Sequence, residues 1–421
     1  MEPMDERSRT GSRPQPGGLE RRLRQWLQPG TEHGLADTLA LFLSLRVLLG
    51  LVVLYVWWAG MTPGPCHFEL ARNGWATIPP LADQGPAFPL VGVWQRWDAC
   101  WYSKIATFGY EANENSVNFW PLFPLLTALV SLVLGAGAVA LSGLVVAGIA
   151  FIAAIEGLRR LVGRDFSPEI ANRTNLAISF FPTAFFFFAP FTESLFLALS
   201  VWTVIGARER RWFLTLVAAF LASLTRIQGL FLMLPIAWEA GMAWRESGLS
   251  AGRRLGPIDG RLVLSAIAAA APLAGFGAFL VFSLAVAGKT PLDTQDAWGG
   301  RNFHWPWDVA VASWNWAAEH HDPLQLVNLA TLIGFGLAIV VGLRRLPVAY
   351  SLIAIPQVAL LMTRLQPTPL TSTARYLLVV FPVFVLLAEV EDRRLQLAWL
   401  AGSIMFLTIL LLAFETGQFV A

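Results

Sequence analysis

Lysine is almost missing from this chain: Lys104 and Lys289 are its only two. Charged residues of any kind make up 14%, against 56% apolar, and mean hydropathy is positive. A soluble enzyme with a solvated charged surface is thereby excluded. Cysteine is limited to Cys66 and Cys100, too few for a disulfide scaffold or a cysteine-rich zinc site. Both fall in one expected outer loop, where an oxidising exterior permits a bridge. Sequence alone does not bring their Cα atoms to bonding distance, so two unpaired thiols are expected. Histidines are few, and the adjacent pair His320-His321 is not a metal spacing. No Asp-x-Asp motif occurs, so divalent metal dependence has no support and no cofactor is expected. The arginine clusters lack the aromatic interleaving of a nucleic-acid surface, which leaves no nucleic-acid partner. Neither a 20–50-residue repeat nor a soluble domain longer than a loop is visible.

What the chain has in abundance is long apolar runs. From residue 39 to the C-terminus they recur at roughly 15 to 25 residues, close to the ~20 needed to cross a bilayer. The fold class is an all-α polytopic membrane protein of about 11 crossings (range about 10–13). Residues 1–34 are rich in Pro, Gly and Arg and read as a disordered cytoplasmic tail, and residues 35–421 read as a single transmembrane domain. Outer loops are expected at about 60–117 and 288–323, the first with a short interfacial helix over 96–107, where Trp97, Trp101 and Ile105 fall near one face. Arginine clusters at 7–24, 159–173, 208–211, 245–261, 344–345 and 393–394 mark cytoplasmic loops. Counting spans between them conflicts in one place. With Asp98 outside and 159–173 inside, the apolar runs 118–136 and 138–158 cannot both be full crossings. Pro121 and Pro124 interrupt the start of the first, which is therefore expected to be a partial or re-entrant span.

Four charged residues inside apolar surroundings are candidates for chemistry, since a charge there must be paired, wet or used. Asp98 lies in the aromatic stretch WQRWDACWY. It is either a general base or a carboxylate that anchors its loop by pairing with Arg96 or Lys104. Glu193, in SFFPTAFFFFAPFTESLF, is either catalytic or the acid that opens a helix over 192–206, where it suits the dipole. Arg226, in LTRIQGLFLMLP, is either one half of an ion pair with Glu193 or a phosphate ligand. A guanidinium grips phosphate oxygens in a bidentate fork. Arg375, in STARYLLVVFP, repeats that choice, its bland alternative being a snorkelling arginine beside the anchoring Tyr376. Trp298, Trp305 and Trp307 suit a sugar face or a membrane interface equally.

These blocks together resemble the PIG-V family of GT-C glycosyltransferases, whose eukaryotic member adds the second mannose in glycosylphosphatidylinositol synthesis. The family pattern RWDxxxYxxIAxxGY followed by FFPxxPLL is met by residues 96–110 and by FWPLFPLL, with Trp120 in place of phenylalanine. FFPxxFFLxxxYSESLFxL is matched through Pro182, Glu193 and Ser194, with Phe191 where tyrosine is usual. LxxLTRxxGLLLLxP and RYxLxxFP are met around Arg226 and Arg375, and Gln295, Trp298 and Pro306 follow a further loop pattern in which Arg301 is displaced by one extra glycine. The resemblance implies a GT-C bundle whose site faces away from the cytoplasm under the first outer loop. It implies Asp98 and Glu193 as catalytic residues and Arg226, Arg375 and Tyr376 as donor-phosphate ligands. Trp97, Tyr102, Trp120, Gln295, Trp298 and Arg301 become substrate contacts. The implied partners are a polyprenyl-phosphate sugar donor, of mannose or another hexose, a lipid acceptor and the surrounding membrane lipids. Arginine-over-lysine usage with many Ala and Gly points to a high-GC bacterium and its plasma membrane. The rival class, a transporter or flippase, calls for an inverted internal repeat that the sequence does not display. A non-catalytic scaffold would leave Asp98 and Glu193 dispensable.

Overall fold

The computed structural model describes residues 34–61, 67–70, 74–77, 88–111, 115–250, 252, 256, 258–294, 304–363 and 368–420. Most of the expected tail therefore lies outside the described residues. Among the described residues the fold comprises fifteen α-helices and one small antiparallel hairpin, His67–Leu70 paired to Gly74–Thr77. In chain order they are α1 (Leu35–Trp58), α2 (Asp98–Phe108), α3 (Leu122–Leu134), α4 (Val139–Asp165), α5 (Pro168–Ser179), α6 (Glu193–Arg208), α7 (Trp212–Ser223) and α8 (Met233–Ser250). Then follow α9 (Gly260–Ala287), α10 (Pro306–His320), α11 (Pro323–Gly342), α12 (Val348–Met362), α13 (Thr373–Leu377), α14 (Phe381–Ala388) and α15 (Arg393–Glu415). Among the described residues, five helices (α1, α4, α9, α11 and α15) are long and apolar enough to cross a membrane. The chain is an all-α polytopic membrane protein, as its apolar runs imply.

Several apolar runs are broken rather than continuous. The run 174–189 is helical only to Ser179, continues as a 3₁₀ turn over Ala184–Phe187, and becomes helical again at Glu193. The apolar runs 212–225 and 227–243 meet at Thr225–Arg226, the second opening as a 3₁₀ segment over Ile227–Leu232, and 375–390 is split between α13 and α14. Irregular backbone at membrane depth survives only where protein or a cavity satisfies its polar groups. These three breaks all fall around the charged residues singled out above.

Charges separate to opposite ends of the bundle. At one end Arg208 Nη2 lies 2.7 Å from Asp165, whose Oδ2 also accepts from the Tyr350 hydroxyl at 2.9 Å. Arg208 and Arg210 both reach Glu239 there. Because α6 starts at Glu193 and ends at Arg208, the acid and the basic end stand ~24 Å apart at 1.5 Å per residue. α3 resolves the counting conflict. Leu122 N donates to Leu224 O at its start, near Arg226. At its far end Ser131 Oγ bonds Ser142 Oγ, at the beginning of α4. Gly143, one residue on, packs against Pro190 beside Glu193. Both ends of α3 thus lie toward the Glu193 end, and its length of ~20 Å falls short of a ~30 Å hydrocarbon core. α3 is too short to cross by itself, whereas α4 is long and apolar enough to do so. Cys100 is disulfide-bonded, which corrects the expectation of a free thiol there. Cys66 lies outside the described residues.

The Arg226 break is held by close backbone contact. A Cβ on Gly229 would meet Ala222 C and Ser223 N at 2.5 Å, so only glycine lets the 3₁₀ segment lie on the end of α7. Gly229 N also donates to Arg226 O at 2.9 Å, so this contact sets the backbone that carries Arg226. Gly229→Ala is expected to cost on the order of 1–3 kcal/mol through backbone displacement. Gly241, in the open interior of α8, has nothing within 4 Å of an added Cβ and serves as the control. Thermal unfolding in detergent should show a clear drop for Gly229→Ala and none for Gly241→Ala; equal midpoints would remove the close-contact argument.

Candidate active site

The site is built from the starts of helices. Asp98 is the first residue of α2 and Glu193 the first of α6, so both carboxylates meet the positive end of a helix dipole. The preceding residue, Trp97, has a positive φ of 52° with ψ −118°, a conformation that side chains other than glycine rarely adopt. Such backbone costs about 1–3 kcal/mol and persists only where its surroundings enforce it. Below Asp98, Ser103 Oγ donates to Gln95 Oε1 at 2.7 Å and closes the turn into α2. Lys104 is buried and faces Glu111 at 3.6 Å, so it does not serve Asp98.

Arg226 and Arg375 converge on Glu193. Arg226 Nη1 donates to Glu193 Oε1 at 2.6 Å and to Thr192 Oγ1 at 3.2 Å, while its Nε donates to Gln228 Oε1 at 2.9 Å. Arg375 Nε donates to the same Glu193 Oε1 at 2.6 Å, and its Nη1 to Asp98 Oδ2 at 2.6 Å. Four residues from four separate motifs thus form one chain, Arg226–Glu193–Arg375–Asp98. Aromatic rings fix the guanidinium planes: Arg375 lies 4.6 Å from the Phe191 ring centroid and 5.1 Å from that of Phe186, and Arg226 lies 5.0 Å from that of Tyr376. α13 is held in turn by Thr183 Oγ1 donating to Ala374 O at 3.1 Å and by Ala374 N donating to Asn328 Oδ1 at 3.0 Å. The Arg226–Glu193 ion pair is therefore real. Arg375 is not a snorkelling arginine, since its side chain is only 4% exposed.

A cavity of about 260 Å³ opens over this chain, near the lower end of the ~300–1,000 Å³ usual for small-ligand sites. Asp98, Tyr102, Trp120, Arg226, Arg375 and Tyr376 line it, while Glu193 does not. Exposure separates the two acids. The Asp98 side chain is 27% exposed and reachable; that of Glu193 is 0% exposed, with its second oxygen, Oε2, unpartnered among the described residues. Burial, followed by the Asp98 charge, pushes the Tyr102 phenol well above its ordinary range, so it stays a hydroxyl at neutral pH. Nη2 of each arginine makes no hydrogen bond among the described residues, leaving N–H donors on two guanidiniums that border the cavity. An apolar part of the wall is formed by Phe119, Ile227, Phe276, Leu292, Leu360 and Leu361.

Of the residues singled out in the sequence, Asp98, Tyr102, Trp120, Arg226, Arg375 and Tyr376 share one cavity, and others lie apart from it. Trp97 stands beside the cavity with its ring edge against Phe419. Gln295, Trp298 and Arg301 lie outside the described residues. Thr192, Gln228, Thr371, Ser372, Phe276 and Phe419 also line the cavity and were not anticipated. Gln228 and Thr192 each adjoin a recognised charge, so proximity within the motif was a usable signal; nothing in the sequence marked Phe419. No group of three or more His, Cys, Asp or Glu side chains converges in the manner of a metal site among the described residues.

Residues 41–236 match the family model described as Mannosyltransferase (PIG-V). The matched stretch contains Asp98, Glu193 and Arg226, three of the four charges in the chain above, and Arg375 is joined to them by the fold. No curated protein and no solved structure matches. Over residues 41–236 the chain is similar to the PIG-V mannosyltransferase family, and together with these helices and this charged cavity the match makes it an integral membrane glycosyltransferase.

Proposed function

We propose that the protein transfers a hexose, mannose in this reading, from a polyprenyl-phosphate sugar to a membrane glycolipid by inverting displacement. The reaction takes place on the extracytoplasmic face of a bacterial plasma membrane. The observation that carries this is the placement of Asp98, Arg226 and Arg375 on one cavity, an accessible carboxylate beside two guanidiniums with free N–H donors. A lipid phosphate and an attacking hydroxyl need those two partners.

Asp98 accepts the proton of the acceptor hydroxyl as its oxygen attacks the anomeric carbon. The bond from that carbon to the phosphate oxygen breaks, and the electron pair leaves with the phosphate. Arg226 and Arg375 meet the growing negative charge, an electrostatic contribution that preorganised donors make without reorientation. Buried behind them, Glu193 holds both guanidiniums in place; it is a positioning residue in this scheme, not a proton carrier. Its pairing with both arginines costs about 3–5 kcal/mol to break from one side, which fixes their geometry before substrate arrives. Tyr102, Trp120 and Tyr376 shape the cavity around the sugar. The donor's prenyl chain runs along the apolar side formed by Phe276, Leu292, Leu360 and Leu361. Outward orientation is supported by the arginine clusters, which accumulate at the end away from the cavity.

Asp98→Asn keeps the shape of the side chain and removes its charge. Membrane insertion should be normal and the transfer rate should fall by roughly 10²–10⁴, the range for loss of a general base. Wild-type turnover in Asp98→Asn membranes would end the assignment. Arg226→Lys and Arg375→Lys each replace a fork with a point charge, so the donor KM is expected to rise while the acceptor KM stays put. Unchanged donor dependence in both variants would leave the arginines as structural ion-pair partners only. For orientation, Lys289→Cys, at the cavity end, should react with a membrane-impermeant thiol reagent on intact cells. Arg394→Cys should react only after permeabilisation, with the parent chain as the blank. The opposite pattern would place the site on the cytoplasmic face.

A further inference from the structure

The C-terminal residues carry no motif, and they lie beyond the family match, which ends at residue 236. α15 stops at Glu415, and the chain then folds back on the helix end. The backbone N–H groups of Thr416, Gly417 and Gln418 donate to Leu412, Phe414 and Ala413 carbonyls at 3.0, 3.1 and 2.9 Å. Gly417 makes the turn at φ 84°, and Val420 is buried. This fixes Phe419 at the edge of the cavity, where its ring lines the opening while remaining 47% exposed. It meets Trp97 edge to face, with centroids 4.9 Å apart at 86°. Trp97 is itself 37% exposed and is held in its strained backbone conformation immediately before Asp98.

Exposed aromatic rings beside a carboxylate suit a pyranose, whose C–H face packs on a ring while its hydroxyls reach polar groups at the margin. Their place beside Asp98 decides which sugar. The acceptor hydroxyl must reach that carboxylate, and Trp97 is its chain neighbour. We infer that Phe419, braced by Trp97, forms the acceptor subsite and packs against the saccharide headgroup of the acceptor; this rests on the transferase reading above. Strain at Trp97 is then maintained because it turns the indole toward the tail that completes the subsite.

Transfer from polyprenyl-phosphate mannose to lipid extract of cells lacking the gene is measured for the parent, Phe419→Ala and Phe419→Trp. Phe419→Ala is expected to raise the acceptor KM about five- to tenfold, with kcat and donor KM close to the parent, and Phe419→Trp to restore it. An unchanged acceptor KM, a shift in donor KM instead, or a loss of kcat that tryptophan does not rescue each overturns the inference. A second measurement does not depend on turnover. 4-(Trifluoromethyl)phenylalanine is placed at position 419 and its fluorine resonance followed during titration with octyl α-mannopyranoside, octyl glucoside and octyl phosphocholine. A saturable shift with a glycoside and none with the phosphocholine supports the subsite. A resonance that neither glycoside moves, or that all three move alike, overturns it. Absence of transfer by the parent, with a glycoside-specific shift retained, would strike the transferase reading and leave the saccharide site standing.

Discussion

One buried carboxylate oxygen, Glu193 Oε1, is shared by two guanidiniums 2.6 Å away on either side. In a membrane protein a single buried charge is expensive, and so is a single buried arginine. Together they are tolerable only if all are brought into register. This requirement reaches through the fold. α6 must begin at residue 193, α7 must stop before Arg226, and α13 must be short enough to turn Arg375 inward. The three helix breaks and the Gly229 contact all serve that meeting point.

The same arrangement separates support from reaction. Glu193 has no access to the cavity, and Asp98 has it. Arg375 connects them, with one edge on each acid. A charge-paired core thereby fixes the distance between the group that faces an incoming hydroxyl and the groups that face a phosphate. Phenylalanines take no part in the polar network, yet Phe186 and Phe191 pack their rings over the Arg375 guanidinium.

Asymmetry between the two ends of the bundle completes the design. Ion pairs at the other end, among Asp165, Arg208, Arg210 and Glu239, join α4, α6 and α8 without forming a cavity lined by the same mixture of acids, arginines and aromatics. They hold helices; the Glu193 end holds helices and leaves an opening. α3 contributes by failing to cross. A short α3 keeps both its ends near the cavity, which allows α2 and α6 to share one face although three helices, α3, α4 and α5, lie between them.

The sequence by itself determined the membrane class, the apolar runs, the positions of Asp98, Glu193, Arg226 and Arg375, and the similarity to the PIG-V mannosyltransferase family over residues 41–236. Each of these is written locally, in composition or in short ordered motifs. It also exposed the conflict at residues 118–158, because proline placement and arginine clusters are local signals too. Only the tertiary structure decided which carboxylate is accessible, which charge pairs with which, and that Arg375 rather than Arg96 or Lys104 faces Asp98. Pairing across 277 residues depends on how helices pack, and no spacing rule encodes it. Phe419 is the extreme case: an aromatic residue in a motif-free tail becomes part of the cavity because α15 ends where it does and Gly417 turns the chain back.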